Sequence, residues 1–490
     1  MSETIKAFSN FINNRWTQGT GDVLESIEPY TGEVWATVPD ASIKDVNDAV
    51  SAARAAFDTG PWGKSTPQDR ARLLRRLGDL VAQHAEEFAL LESRDNGKLY
   101  REMLGQWRYL PEWFYYYAGI ALTEQGHVLP SDKTNFFVYT QRQAIGVVAA
   151  ITAWNSPGLL MVWKLAPALA AGCTFVIKPS EHAPVSTVAF ARLIEEAGFP
   201  PGVFNVITGG AAAGKALVED LRVDKVAFTG SDTVGRIIAQ SVSANFTRYS
   251  LELGGKSAQI VFPDAPVEDV VNGILAGIFA AGGQSCMAGS RLLVHRDVHD
   301  VVVQALVDRV KRIRLGDPQN PETDVGPIAT EPQFKKILAL IGRAREQSAV
   351  VATGGGAVSR GGWFVQPTVL THVDPASDIA QEEVFGPVLS VIAFDDEEQA
   401  LQLANATRYG LAAGVWTQDV RRAHRFAQRL RAGSIWINAY RTVGPYAPFG
   451  GFGHSGVGRE NGIDGLNEFR EVKSVWIETS GNVRDPFVIG

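Results

Sequence analysis

Hydrophobic and polar positions change their period several times along the 490 residues. Two segments near the amino end repeat at helical spacing. Ser42-Ile43-Lys44-Asp45 reads as a capping box, and Val46, Ala49, Val50, Ala53 and Phe57 share one face of the helix it opens. Thr66-Pro67-Gln68-Asp69 repeats the signal with proline at the first helical position. Leu73, Leu74, Leu77, Leu80, Val81, Phe88 and Leu91 mark the face that follows. A third helix is predicted over the aromatic run Trp107 to Tyr117, whose large rings suit core or interface packing. Residues 123–144 then lose the helical period and alternate. They predict an edge hairpin, and such an edge is best explained by pairing with a neighbouring subunit.

From residue 145 the pattern alternates between β and α. Ile145 to Ile151, Thr174 to Lys178, Val203 to Ile207 and Val226 to Thr229 are short β-rich runs. Helical stretches fall between them at 158–172, 185–197 and 211–221. That alternation predicts a parallel, doubly wound sheet with its ligand at the carboxyl ends of the strands. Those ends carry Trp154-Asn155, Lys178-Pro179-Ser180-Glu181, Gly209-Gly210 and Gly230-Ser231, turns of small or polar residues that suit a nucleotide. Gly451-Phe452-Gly453-His454-Ser455-Gly456 spells the dinucleotide fingerprint. It does not lie between a strand and a helix, so it reads as a loop.

A second α/β unit starts near Leu253-Gly254-Gly255-Lys256, with a strand at Leu292 to Val294 and helices over 298–314, 395–406 and 419–431. Loops cover 315–332 and Gly354 to Gly362. The tail carries Val475-Trp476-Ile477, a strand to pair with the earlier hairpin. Val267 to Ala281 predicts a buried helix that Gly282-Gly283 breaks just before Cys286. A thiol at such a break can face a cleft, although the ordinary reading of a lone cysteine is a small buried hydrophobe.

Composition narrows the function. At this length two or more domains are expected. Hydrophobic residues at 45% and charged residues at 20% fit a soluble α/β enzyme, and a net charge of −7 offers no attraction to nucleic acid or an anionic membrane. No run suits a signal core or a membrane span. Two cysteines without a pairing pattern suit the cytoplasm, and the eight histidines show no metal-ligand spacing, so no metal is expected.

Trp154-Asn155, Lys178-Pro179-Ser180-Glu181, Phe228-Thr229-Gly230-Ser231, Leu251-Glu252-Leu253-Gly254-Gly255-Lys256, Gly283-Gln284-Ser285-Cys286, Glu382-Glu383-Val384-Phe385-Gly386-Pro387 and Pro448-Phe449-Gly450-Gly451 resemble the NAD(P)-dependent aldehyde dehydrogenase superfamily over essentially the whole chain. The resemblance implies a Rossmann-type NAD-binding domain over 1–122 and 145–253. It further implies an α/β catalytic domain over 254–454, and a β oligomerisation arm from 123–144 and 468–490 of a homodimer or homotetramer.

It also implies NAD-dependent oxidation of an aldehyde to a carboxylic acid. Cys286 is then the nucleophile that forms a thiohemiacetal and a thioester. The Asn155 amide holds the oxyanion with the Cys286 N–H, Glu252 activates water, and Lys164 and Glu460 relay protons. For the cofactor it implies Ile151, Thr152, Ala153, Trp154, Lys178, Ser180, Glu181, Gly210, Gly214, Phe228, Thr229, Gly230, Ser231, Leu253, Gly254, Glu383 and Phe385. Glu181 would accept from a free ribose 2′-OH and repel a 2′-phosphate, which favours NAD without excluding NADP. Ser156 stands where many members of the superfamily place a bulky aromatic, with Gly158 nearby, so a wider entrance beside the thiol is expected. Trp163, Leu160 and Phe449 remain as apolar walls. Arg441 falls in the loop lining the substrate tunnel, which suggests a polar or anionic semialdehyde. Three alternatives compete: transfer of the acyl group to CoA, a thioester-forming hydrolase without redox chemistry, and a non-catalytic binding protein.

Overall fold

A computed structural model describes residues 5–123, 125–483 and 485–488. The first of its two large sheets runs in the order Gly456–Val457, Arg248–Glu252, Lys225–Thr229, Val147–Thr152, Thr174–Pro179, Phe204–Val206, Asn10–Ile12 and Arg15–Thr17. The middle five strands are parallel, and the outer ones are antiparallel. All six residues of Val147–Thr152 are buried because neighbours along it feed different cores. Val148 and Ala150 join a cluster with Phe175 and Ile177, whereas Val147, Ala149 and Ile151 join one with Val176 and Val226. A strand covered on both faces has no polar side, so its sequence is a continuous apolar run. Strand order reverses direction between Val147–Thr152 and Lys225–Thr229, which leaves a crevice at their carboxyl ends.

The second sheet is parallel except for the edge strand Val350–Thr353. Its order is Val350–Thr353, Thr368–Thr371, Val388–Phe394, Arg291–His295, Ala258–Val261, Ala412–Trp416 and Ser434–Ile437. It too feeds two cores, Ile260 and Leu293 on one side and Val261 and Leu292 on the other. Both predicted capping boxes form, Ser42 with Asp45 ahead of Ile43–Asp58 and Thr66 with Asp69 ahead of Pro67–Gln83. Phe136–Ala144 pairs with Arg470–Glu478 over nine residues, and a bridge from Val128 to Tyr139 closes the predicted hairpin. Among the described residues no helix is long and apolar enough to cross a membrane.

Several sequence expectations are corrected. The aromatic run is divided between Tyr100–Tyr109 and Pro111–Ala121, because Pro111 lacks the N–H that a continuous helix needs and starts a new one instead. Phe88 and Leu91 lie on Ala85–Asn96, a helix separated from Pro67–Gln83 at His84. The α-helix predicted from Val267 to Ala281 stops at Ile274 and widens into a π-turn over Leu275–Phe279. The Gly451 to Gly456 stretch is not wholly loop, since Gly456–Val457 adds an antiparallel strand beside Arg248–Glu252.

Candidate active site

The loop that leads to Cys286 is shaped by three successive residues in the left-handed region, Ala281 (φ 54°), Gly282 (φ 59°) and Gly283 (φ 68°). A side chain at Gly283 would place its Cβ 2.1 Å from the Gly386 carbonyl oxygen, so glycine is required there. The Gln284 amide then anchors the loop, with Oε1 accepting from the Ala329 N–H at 2.9 Å and Nε2 donating to the Pro327 carbonyl at 3.3 Å. Cys286 follows, half-buried. Burial, and then the carboxylates of Glu383 and Glu252, push its thiol pKa up to about 12. The protein alone therefore keeps the sulfur protonated at neutral pH, and a nearby base must take the proton.

Asn155 lies beyond the carboxyl end of Val147–Thr152, and its Nδ2 donates to the Gln284 carbonyl at 3.1 Å. The amide thus sits against the loop that carries the thiol. Glu252 closes Arg248–Glu252, and its backbone carbonyl accepts from the Gly230 N–H at 3.0 Å. Its side chain is buried, and neither carboxylate oxygen has a hydrogen-bond partner among the described residues. Burial, and then the negative Glu460, hold its pKa well above the ordinary range against the pull of Lys164. Lys164 is buried on Pro157–Ala171 and donates to Glu460 and to Thr229 Oγ1. Glu460 is fixed in turn by paired backbone hydrogen bonds with Phe449, 2.7 Å each. The Phe449 ring meets Trp163 at 5.0 Å, and Trp163 stacks on Trp113 at 6.0 Å. Leu160 is buried on the same helix.

The crevice at the strand ends has the chemistry of a dinucleotide site. Lys178 donates to the carbonyls of Pro179 (3.0 Å) and Gly209 (2.7 Å), with Glu181 3.7 Å away and its carboxylate facing solvent. Burial lowers the Lys178 pKa. Ser180 Oγ accepts from the His182 N–H, and Gly210 caps the helix Ala211–Glu219, whose Gly214 faces the Lys178 stem. Ser231 Oγ accepts from the Val234 N–H as the cap of Asp232–Ser243, which leaves its O–H and the backbone N–H groups of that turn as donors for a phosphate. The Phe228 ring fills the space beside Gly230. Thr152 Oγ1 is buried without a partner next to Ala153. Across the crevice, Glu383 accepts from the Gly255 N–H at 3.0 Å, and burial raises its pKa to about 7. Phe385 is held in the left-handed region (φ 55°) with its ring 5.2 Å from Trp154. Gly254, next to the buried Leu253, has no room for a side chain, since its Cβ would lie 2.2 Å from Glu383 Oε2. These donors, carboxylates and side-chain-free approaches fit a nicotinamide dinucleotide. Among the described residues no group of three or more His, Cys, Asp or Glu could hold a metal ion.

Comparison with known proteins decides the family. The sequence model of the aldehyde dehydrogenase family matches residues 16–475. The chain belongs to the aldehyde dehydrogenase family. A relative from Acinetobacter baylyi, (Z)-2-((N-methylformamido)methylene)-5-hydroxybutyrolactone dehydrogenase, is 44% identical over 99% of this chain and 100% of its own. A betaine aldehyde dehydrogenase of Cereibacter sphaeroides is 42% identical over 96% of this chain and 97% of its own. The NAD+ complex of an aldehyde dehydrogenase from Bacillus cereus superposes with a TM-score of 0.95 at 42% identity, covering 96% of this chain and 97% of that one. The betaine aldehyde dehydrogenase of Staphylococcus aureus in complex with NAD+ gives 0.96 at 38% identity, covering 98% and 97%.

Within this aldehyde dehydrogenase two sequence expectations change. Ser156 does not open the entrance. It is buried, and the ammonium of Lys98 fills the room beside it, donating to Ser156 Oγ at 2.8 Å. Arg441 does lie near the site, in the left-handed region (φ 63°), but one of its guanidinium nitrogens is committed to the Ala276 carbonyl at 2.9 Å. The residues that sequence reasoning missed form a clamp around Asn155. Asn96 Nδ2 donates to the Asn155 carbonyl at 3.3 Å, and the Glu92 carboxylate accepts from the Gly158 N–H at 3.2 Å and from Trp107 Nε1 at 3.0 Å. Their signal was faint but present: Asn96-Gly97 is a helix stop, and the helix before it ends in several polar residues.

Proposed function

We propose that this chain oxidises an aldehyde to the free carboxylic acid with NAD+, by covalent catalysis at Cys286. One observation carries the reading: a thiol, an amide donor and a buried carboxylate without a partner meet where the dinucleotide crevice opens. The Cys286 sulfur adds to the carbonyl carbon, and its proton passes to Glu252. The Asn155 amide and the Cys286 N–H hold the oxygen that becomes negative. NAD+, when bound, supplies the hydride acceptor. Departure of hydride leaves a thioester on Cys286. Glu252, once that first proton has left it, deprotonates the water that attacks the thioester and returns the proton to the sulfur as the acid leaves. Lys164 and Glu460, in contact behind Glu252, carry the proton outward.

Lys178 and Glu181 take the adenosine ribose in this reading, the Ser231 turn takes the pyrophosphate, and Glu383 with Phe385 holds the nicotinamide ribose. Ile151 to Trp154, Gly210, Gly214, Phe228 to Gly230, Leu253 and Gly254 form the walls. Ser156, Leu160, Trp163, Phe449 and Arg441 surround the aldehyde, and Arg441 favours a polar or anionic semialdehyde. Residues 1–122 with 145–253 bind the dinucleotide, 254–454 carry the nucleophile, and 123–144 with 468–490 join subunits of a cytoplasmic homodimer or homotetramer. A panel of aldehydes with NAD+ or NADP+, followed by absorbance of the reduced cofactor and by acid product without CoA, tests this. Reduction of NAD+ with acid formed in equal amount is expected. Ester cleavage with no cofactor reduction on any aldehyde would overturn it.

A further inference from the structure

Lys98 is a buried cation with no role in the chemistry above. It follows Gly97 (φ 76°), whose Cβ position is closed by Pro29 and Pro327. Its backbone is held on both sides, the N–H by Asn96 Oδ1 at 2.9 Å and the carbonyl by the Ser93 hydroxyl. The side chain then runs inward, and Ser156 Oγ is the one hydrogen-bond partner of its ammonium among the described residues. Three N–H donors are available, so two are not used by the protein.

The neighbouring carboxylates do not quench this charge by contact. Glu92 is committed to the Gly158 and Trp107 N–H groups, together with Gln106. Glu102 gives one oxygen to the Ala281 N–H at 3.0 Å, and its other oxygen has no hydrogen-bond partner among the described residues. Gly158 follows Asn155, and Ala281 precedes Cys286. The two carboxylates therefore brace the two catalytic loops, and Lys98 stands between them. Burial, and then the second positive charge of Arg441, bring the Lys98 pKa down to about 8 against the opposing pull of Glu102 and Glu92. A desolvated ammonium with free donors beside a reaction site is costly unless something negative meets it.

We propose that Lys98, oriented by Ser156, determines specificity by donating to an anionic or strongly accepting oxygen of the substrate other than the reacting carbonyl. The inference rests on reading the site as that of an NAD+-dependent aldehyde dehydrogenase, and it narrows the substrate class. A carboxylate-bearing semialdehyde fits, whereas an aldehyde carrying a quaternary ammonium meets two like charges. Arg441 near the tunnel loop supplies the outer cation, and Lys98 the inner one.

Steady-state kinetics on the full enzyme with NAD+ tests this, using succinic semialdehyde, pentanal and betaine aldehyde as anionic, neutral and cationic probes. The wild-type order of kcat/KM is expected to be anionic, neutral, cationic. In Lys98→Met the ratio for succinic semialdehyde over pentanal falls about 10–100-fold, chiefly through the KM for the anion. Lys98→Arg keeps a ratio nearer the wild type. Equal losses on both aldehydes in Lys98→Met would overturn the proposal and leave Lys98 as a brace for the Asn155 loop. Should Lys98→Met fail to fold, the wild-type order decides, because preference for the neutral or cationic probe contradicts the assignment by itself. A binding readout separates this from the oxidation reading. Glutarate is expected to slow alkylation of Cys286 by iodoacetamide more than pentanamide does, whether or not any aldehyde is oxidised. Equal protection by the two overturns the assignment to Lys98, and absence of cofactor reduction overturns the oxidation reading.

Discussion

Glu252 carries an uncommon burden for a carboxylate, being buried with both oxygens unpaired. Its folded pKa is raised above the ordinary value of 4.5, so the folded state holds the proton more tightly than the unfolded chain does. Below about pH 4.5 both states are protonated and the residue costs nothing. As pH rises towards the folded value, the unfolded state gains by ionising and stability is lost. Glu252→Gln should therefore be more stable than the wild type at pH 8, by about 1–3 kcal/mol, with the gap closing towards pH 4. Thermal melts across that range check it, and an equal gap at both ends would contradict the assignment. This residue was legible in the sequence because it stands in an unbroken motif, as are Asn155 and Cys286. Lys98 was not. Its significance lies in contact with Ser156, 58 positions away, and no period or spacing encodes that pairing. The absence of an aromatic at Ser156 was visible, but the side chain that replaces it in space was not.

At the scale of elements, the sequence disclosed the parallel strands best, since continuous apolar runs bounded by glycine have few other solutions. It disclosed breaks less well. Pro111 reads equally as a helix start or a kink, and only packing chooses. The π-turn at Leu275–Phe279 has no local signature, because it arises where the helix must hand the chain over to a loop of left-handed residues. That loop, with Gly255 facing the Cys286 carbonyl beyond it, is close-packed at Gly283 against the Gly386 carbonyl. Gly254→Ala would push its new methyl into the Glu383 carboxylate, 2.2 Å from the Cβ position. The KM for NAD+ is expected to rise about tenfold, with a smaller change in the KM for aldehyde, since a displaced clamp costs orientation. Steady-state kinetics with each substrate varied will show it, and a rise confined to the aldehyde KM would contradict the assignment of Glu383 to the cofactor.

For the whole molecule, the proposal that the two-stranded ribbon joins subunits makes a prediction of its own. Phe137 and Ile477 are register partners on Phe136–Ala144 and Arg470–Glu478, and each is 45% exposed. Apolar pairs on a two-stranded ribbon are what an interface covers. Phe137→Lys with Ile477→Lys should lower the mass measured by light scattering to that of a smaller assembly. An unchanged mass would mean that subunits meet elsewhere. The ribbon's strands were foreseen because they alternate, and so was their pairing, although 325 residues lie between Ala144 and Arg470.

The central claim is that acyl transfer passes through Cys286 and that Glu252 releases it. Intact-mass analysis of Glu252→Gln mixed with NAD+ and an aldehyde tests that most directly. The account predicts reduced cofactor formed far more slowly than in the wild type, because the thiol must lose its proton without Glu252, and never beyond one equivalent, with the protein heavier by the acyl group and the added mass on the peptide containing Cys286. Continued turnover at the wild-type rate, or reduced cofactor formed with no mass added at Cys286, would contradict it.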